Sequence, residues 1–108
     1  MTTTGPTHAD DAPLDIRDVP AANRYEARYA DSARSPGTTA IASYTLSGNI
    51  IRFEHTRVPD VMEGHHVGAR LVKFALDDAR SRGLRVVAEC PFVAAYIARH
   101  TEYQDLVM

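Results

Sequence analysis

The spacing of apolar residues along the chain changes at Pro59. Before it they alternate with polar ones; after it they recur every three or four positions. "NRYEARYA", residues 23–30, alternates enough to be a strand. "TTAIASYTL", residues 38–46, is rich in β-branched and apolar side chains. "SGN" makes a tight turn, and "IIRFEHTRV", residues 50–58, follows it. Two such runs about a Gly-Asn turn predict a hairpin. In the second run Ile51, Phe53 and His55 share one face, and Arg52 and Glu54 the other. His55 is therefore expected to face the interior and to be hydrogen bonded.

Past Pro59, the residues Val67, Leu71, Val72, Ala75, Leu76 and Ala79 fall on one side of a helix. Asp77, Asp78, Arg80 and Arg82 belong to its solvent side, and Gly83 stands where a C-terminal glycine belongs. "LRVVAEC", residues 84–90, predicts a short buried strand. Pro91 suits a first helical turn, so "PFVAAYIARH", residues 91–100, predicts a second helix with Phe92 and Ile97 in the core. "TEYQDLV" either extends that helix or turns once more. The element order is β-β-β-α-β-α. The strand-helix-strand unit over residues 50–90 predicts a right-handed crossover between parallel neighbours. One domain spans residues 16–108, preceded by a disordered tail over residues 1–15; "DSARSPG", residues 31–37, reads as a loop.

With 108 residues, 44% hydrophobic and 24% charged, the chain has the composition of an ordinary soluble domain with one core. A net charge of -2 gives no strong pull toward nucleic acid or anionic membrane, so neither is expected as a partner. A single cysteine, Cys90, excludes an internal disulfide framework and a zinc cage of several thiolates. It suits a reducing, cytoplasmic setting. The start of the chain lacks the cationic flank and apolar core of a secretory signal.

Candidate chemistry begins at "MEGHHVGARL", residues 62–71. A strand runs into a loop that opens a helix, where the first backbone N–H groups have no helical partners. Together with the helix dipole they make an anion site, and glycines let a phosphate approach the backbone. Gly64 and Gly68 equally suit turn geometry or packing. The loop is not a Walker loop, because no Gly-Lys-Ser/Thr follows, and the Gly-x-Gly-x-x-Gly dinucleotide fingerprint is absent. His55, His65, His66 and Cys90 are metal-ligand residue types. Adjacent histidines do not share a helix face and no His-x-x-x-His spacing occurs, so no metal is expected.

"HTRVP" (55–59), "EGHHVGARLV" (63–72), "CPFVAAYIARH" (90–100) and "EYQDLV" (102–107) together resemble the small GNAT-like N-acetyltransferase family, in its compact yjdJ-type branch. The resemblance covers about residues 23–107. It implies a compact GNAT-like acyl-CoA N-acyltransferase fold, α/β (α+β) with a mixed central sheet. Acetyl-CoA would be the cosubstrate, and an amine of a protein lysine, an N-terminus or a small molecule the acceptor. The strand before the loop, at Thr56 and Val58, would lie along the pantetheine arm. The loop amides, over Gly64, His65, His66, Val67, Gly68 and Ala69, would hold the pyrophosphate. The superfamily pattern Arg/Gln-x-x-Gly-x-Gly/Ala falls on residues 63–68 with two departures. Glu63 puts an acid near the phosphates and His66 replaces the middle glycine, so weaker CoA binding is expected, with His65 or His66 adding a side-chain contact.

Three further residues carry catalytic readings. Cys90 is a small core residue or, at a helix N-terminus, a nucleophile; in the resembling branch it faces the acetyl group. Tyr96 either packs or protonates the departing CoA thiolate, as tyrosines on this helix do in the superfamily. His55 is a candidate base for the acceptor amine. Arg99 and His100 suit the negative end of the second helix, and Arg99 would reach a CoA phosphate if it folds toward the loop. The competing functional classes are a CoA-binding or interaction module with little catalysis, and a structural partner that pairs through a strand edge.

Overall fold

A computed structural model describes residues 13–30, 38–64 and 66–108. Five strands form one sheet in the order β1-β2-β3-β4-β5: β1 Leu14–Val19, β2 Arg24–Tyr29, β3 Ala40–Ser47, β4 Ile50–Arg57 and β5 Arg85–Ala88. Helix α1 runs over Val67–Ser81 and α2 over Pro91–Arg99. The β3–β4 hairpin, α1, β5 and α2 fall where the periodicity puts them. β4 and β5 are parallel neighbours, as the strand-helix-strand order requires. Gly83 ends α1 with φ +70.

β1 is the element that the alternation argument did not find. It begins at Leu14, inside the segment expected to be a tail, while residues 1–12 and the expected loop 31–37 lie outside the described residues. It is an edge strand with no fully buried residue: only Leu14 and Ile16 pack against the core. Its apolar signal is therefore too thin to register. Backbone pairing carries it, antiparallel to β2 from Leu14 opposite Tyr29 to Val19 opposite Arg24. A 3-10 turn, Pro20–Ala22, closes the connection, with Asn23 in the left-handed conformation donating its N–H to the Pro20 carbonyl.

α1 covers the inner face of the sheet. Leu71, Val72, Ala75, Leu76 and Ala79 bury against Tyr25, Ala27, Ala42, Ile51, Phe53 and Val86. Each fully buried Leu or Val contributes about 1.5–3 kcal/mol. The three rings of Tyr25, Tyr44 and Phe53 pack at 5.4–6.4 Å between centroids. The two phenols end on acids: Tyr25 donates to Asp78 and Tyr44 to Asp18, each at 2.6 Å. Burial first, and then these carboxylates, push both phenols well above their ordinary range. Arg82 bridges Asp18 and Asp78 at 3.2 and 3.1 Å, tying the last turn of α1 to β1. After α2 a 3-10 segment, Thr101–Leu106, returns under the domain. Tyr103 there donates to Asp77 at 2.6 Å, and Val107 forms a parallel bridge with Val86 at the outer edge of β5.

Candidate functional site

β4 and β5 run together for four residue pairs and then part at Phe53, which lies opposite Ala88. Two local features separate them. In the β3–β4 hairpin Tyr44 pairs with Phe53 but Ser43 pairs with His55, so Glu54 is an extra residue, a β-bulge. On the other side, the N–H groups of Glu89 and Cys90 both turn to the Phe53 carbonyl at 3.0 Å, and the chain leaves the sheet for α2. Beyond Phe53, β4 has no ladder partner on its β5 side among the described residues. The gap opens toward the N-terminus of α1.

The bulge also corrects the placement of His55. Strict alternation put it inside with Phe53. The extra residue reverses the alternation, so His55 is exposed and Thr56 turns inward, opposite the buried Ala42. A bulge leaves no trace in hydrophobic periodicity, which is why the sequence reading missed it.

One cleft of about 540 Å³ fills the gap. Thr56, Val58, Gly64, His66, Val67, Gly68, Ala69 and Arg99, each expected from the sequence to hold a cofactor, line it together. Met62, Glu63 and Phe92 complete its walls, and His65 lies outside the described residues. Val58, Met62 and Phe92 supply apolar wall, and Thr56 sets a hydroxyl beside them. The cleft's other polar groups gather where α1 begins: Glu63, His66 and, reaching over from α2, Arg99. Arg99 is exposed and has no ion-pair partner among the described residues. Phe92, expected in the core, is 40% exposed and stands in the cleft wall.

The entry to α1 is built from two left-handed residues, Gly64 at φ +83 and His66 at φ +59. Glycine adopts that region freely, while at His66 it is a strained choice of about 1–2 kcal/mol. His66 is the N-cap; its carbonyl accepts the Arg70 N–H at 2.9 Å, but its side chain does not cap the helix. The N–H groups of Val67, Gly68 and Ala69 stand in the first turn of α1 at the end of the cleft, where the helix itself supplies them no partner. Gly68 has a packing role. A Cβ there would lie 2.9 Å from the Phe92 ring tip and 3.2 Å from a Val58 methyl, so the missing side chain lets α1 close against β4 and α2. Of the two roles open to this glycine, packing is the one the contacts display.

Cys90 is the N-cap of α2 and is 3% exposed. Its sulfur lies 3.3 Å from Thr56 Oγ1, beneath the cleft floor. Tyr96 is not part of the cleft. Its ring is buried, stacked on His100 at 3.9 Å and 6.1 Å from Tyr103, and burial raises its phenol above the ordinary range. Its four-residue spacing from His100 serves this stack and the His100 Nδ1 contact with the Tyr96 carbonyl at 2.9 Å. Among the described residues no three His, Cys, Asp or Glu side chains gather where they would share a metal ion, and no helix is long and apolar enough to cross a membrane.

A mixed sheet whose parallel pair splays beside a helix N-terminus is the architecture of the N-acetyltransferase fold class. The chain belongs to the GCN5-related N-acetyl-transferase family, whose profile matches residues 24–106. It is similar to the NMR solution structure of a GCN5-like candidate N-acetyltransferase from Staphylococcus aureus, at 27% identity, with 88% of each chain covered and a TM-score of 0.63. No curated protein matches the chain. Family and fold together support an acetyltransferase activity.

Proposed function

We propose that the protein is an acetyl-CoA-dependent N-acetyltransferase of the cytoplasm and that the cleft between β4, α1 and α2 receives the cosubstrate. The observation that carries this reading is the edge of β4 past Phe53, which has no ladder partner among the described residues, beside the first turn of α1. The diphosphate would accept hydrogen bonds from the amides of Val67, Gly68 and Ala69, with the Arg99 guanidinium adding charge. The pantetheine arm would follow Thr56 and Val58, whose strand edge has main-chain groups to spare. That course leads the thioester to the Thr56–Cys90 contact. Glu63 opposes the phosphates and lowers affinity, while His66 favours them when protonated.

The positions of the acid–base candidates favour a route through Cys90. His55 points away from the cleft and Tyr96 packs behind it, so neither is placed to serve an amine attacking directly. In the Cys90 route the thiolate attacks the acetyl carbonyl, a new C–S bond forms, and the C–S bond to CoA breaks as CoA leaves as a thiolate. The acceptor amine then attacks the acetyl-cysteine, forming the amide, freeing the Cys90 thiolate and giving up its proton to solvent. Acceptors are amines: a protein lysine, an N-terminus or a small molecule.

A second reading, a CoA-binding or interaction module with little catalysis, draws on the Glu63 carboxylate in the cleft wall and the absence of His55 and Tyr96 from it. Labelled acetyl-CoA incubated with the pure protein and a cell lysate separates the two. New acetylated amines, lost in Cys90→Ala, support the enzyme and its route. Bound CoA without transfer supports the module, and turnover unchanged in Cys90→Ala excludes the covalent step.

A further inference from the structure

The extra residue in β4 does more than open the cleft: it turns Thr56 inward. Without it, alternation from Phe53 would send Thr56 to the outer face with the polar residues of the strand. With it, Thr56 stands at the cleft floor with its hydroxyl 3.3 Å from the Cys90 sulfur. The sulfur lies where β5 has just left the sheet, so the two side chains meet across the missing rungs of the ladder. A valine here would fill the same space, pair as well in a strand and leave no polar atom to satisfy. The hydroxyl adds one thing, its contact with the sulfur.

A neutral thiol gains little from such a contact, being a weak donor and weak acceptor. A thiolate shut away from water gains a great deal. Other charges near Cys90 are already engaged or lie elsewhere. Glu89, next in the chain, is drawn to Arg52 at 2.6 Å, and Glu54 accepts from Thr45 at 2.8 Å. His55 and Arg57 are exposed on the far side of β4. Arg99 on α2 and Glu63 and His66 before α1 line the cleft. Thr56 is the described polar side chain in direct contact with the sulfur.

We propose that Thr56 is a positioning residue for Cys90: its hydroxyl donates to the sulfur, aims it at the cleft and stabilises it as the thiolate. This rests on the cleft being the acyl-CoA site. Cys90 is the one cysteine, so alkylation of the full chain by iodoacetamide, read by mass spectrometry, reports this thiol alone. Rates are measured between about pH 6 and pH 10, the span in which thiols titrate. Thr56→Val is expected to move the midpoint of the rate profile upward by about one pH unit, roughly a tenfold loss of thiolate below it. Thr56→Ser, which keeps the hydroxyl, is expected to restore the wild-type midpoint.

A Thr56→Val profile superimposed on wild type overturns the proposal. So does a rate lowered by one factor at every pH, which is a change of access, and so does a wild-type thiol that the reagent never reaches. Acetyl-CoA titration of the same proteins keeps the two claims apart. If wild type binds no acetyl-CoA, the reading of the cleft fails on its own, while the alkylation midpoints still decide the role of Thr56.

Discussion

Gly68→Ala tests how tightly the floor of the cleft is built. In an ordinary helix interior this change stabilises by about 0.8–1 kcal/mol, because alanine is the better helix former. Here the added methyl would sit 2.9 Å from the Phe92 ring tip and 3.2 Å from a Val58 methyl. Overpacking of this kind costs about 1–3 kcal/mol. Val58, one residue past β4, is half-buried and packs against the core. Phe92 is 40% exposed and can swing about its side-chain torsions, giving up part of its burial and relieving part of the clash. The balance is a net destabilisation of about 1 kcal/mol, or a melting point lower by about 4–8 °C for a domain of this size. Urea unfolding followed by circular dichroism measures it, since the chain has no tryptophan to report by fluorescence. The double variant Gly68→Ala with Phe92→Ala removes the clashing ring, so the two changes should couple by about 1 kcal/mol in the favourable direction. If Gly68→Ala proves more stable than wild type and the pair is additive, Phe92 does not seat on Gly68 and the geometry given for the floor is wrong.

Other expectations follow from single side chains. Arg99→Ala should weaken acetyl-CoA binding by about tenfold in calorimetry, the scale of one charge-assisted hydrogen bond, with the melting point unchanged. Glu63→Gln should tighten acetyl-CoA about threefold at low salt and by less at high salt, because only repulsion across solvent is removed. Tyr103 is pushed up to about 12, first by burial and then by its hydrogen bond to Asp77. A phenol raised above its unfolded value of about 10 contributes stability that is fully present below that pH and is lost as pH rises through the folded value. Base titration should therefore weaken the native state progressively between about pH 10 and pH 12, and Tyr103→Phe should remove that share of the slope in denaturant melts.

How far the sequence foretold the molecule follows from how each feature announces itself. α1 was legible because six apolar residues, from Val67 to Ala79, repeat at helical spacing and Gly83 stops them. The β3–β4 hairpin was legible because its turn chemistry and alternation agree. β1 was not, since a half-covered edge strand has two packed residues and holds its place through backbone bonds that any sequence can make. Of the residues singled out in the glycine loop, Gly64, His66, Val67, Gly68 and Ala69 line one cleft, and His65 lies outside the described residues. His55 and Thr56 were legible only as strand residues. Which way they point depends on one extra residue in the pairing of β4 with β3. Phe92 looked like core because helical apolar residues usually are. Its exposure follows from the cleft beside it, which exists only because β4 and β5 diverge. Tyr96 carried the chemistry of a general acid in its residue type, but its direction was set by His100 and Tyr103, which no spacing rule connects to the cleft.

Everything functional depends on a nucleotide thioester occupying the gap between β4 and β5 with its phosphates at the start of α1. Backbone amide resonances recorded while acetyl-CoA is added to the isotope-labelled protein examine this residue by residue. The largest changes are expected at Val67, Gly68 and Ala69, a second group at Thr56 and Val58, and little response at Asp18, Tyr25 and Arg82, which gather at the opposite end of α1. Saturable shifts centred anywhere else, or none at millimolar acetyl-CoA, would contradict this placement.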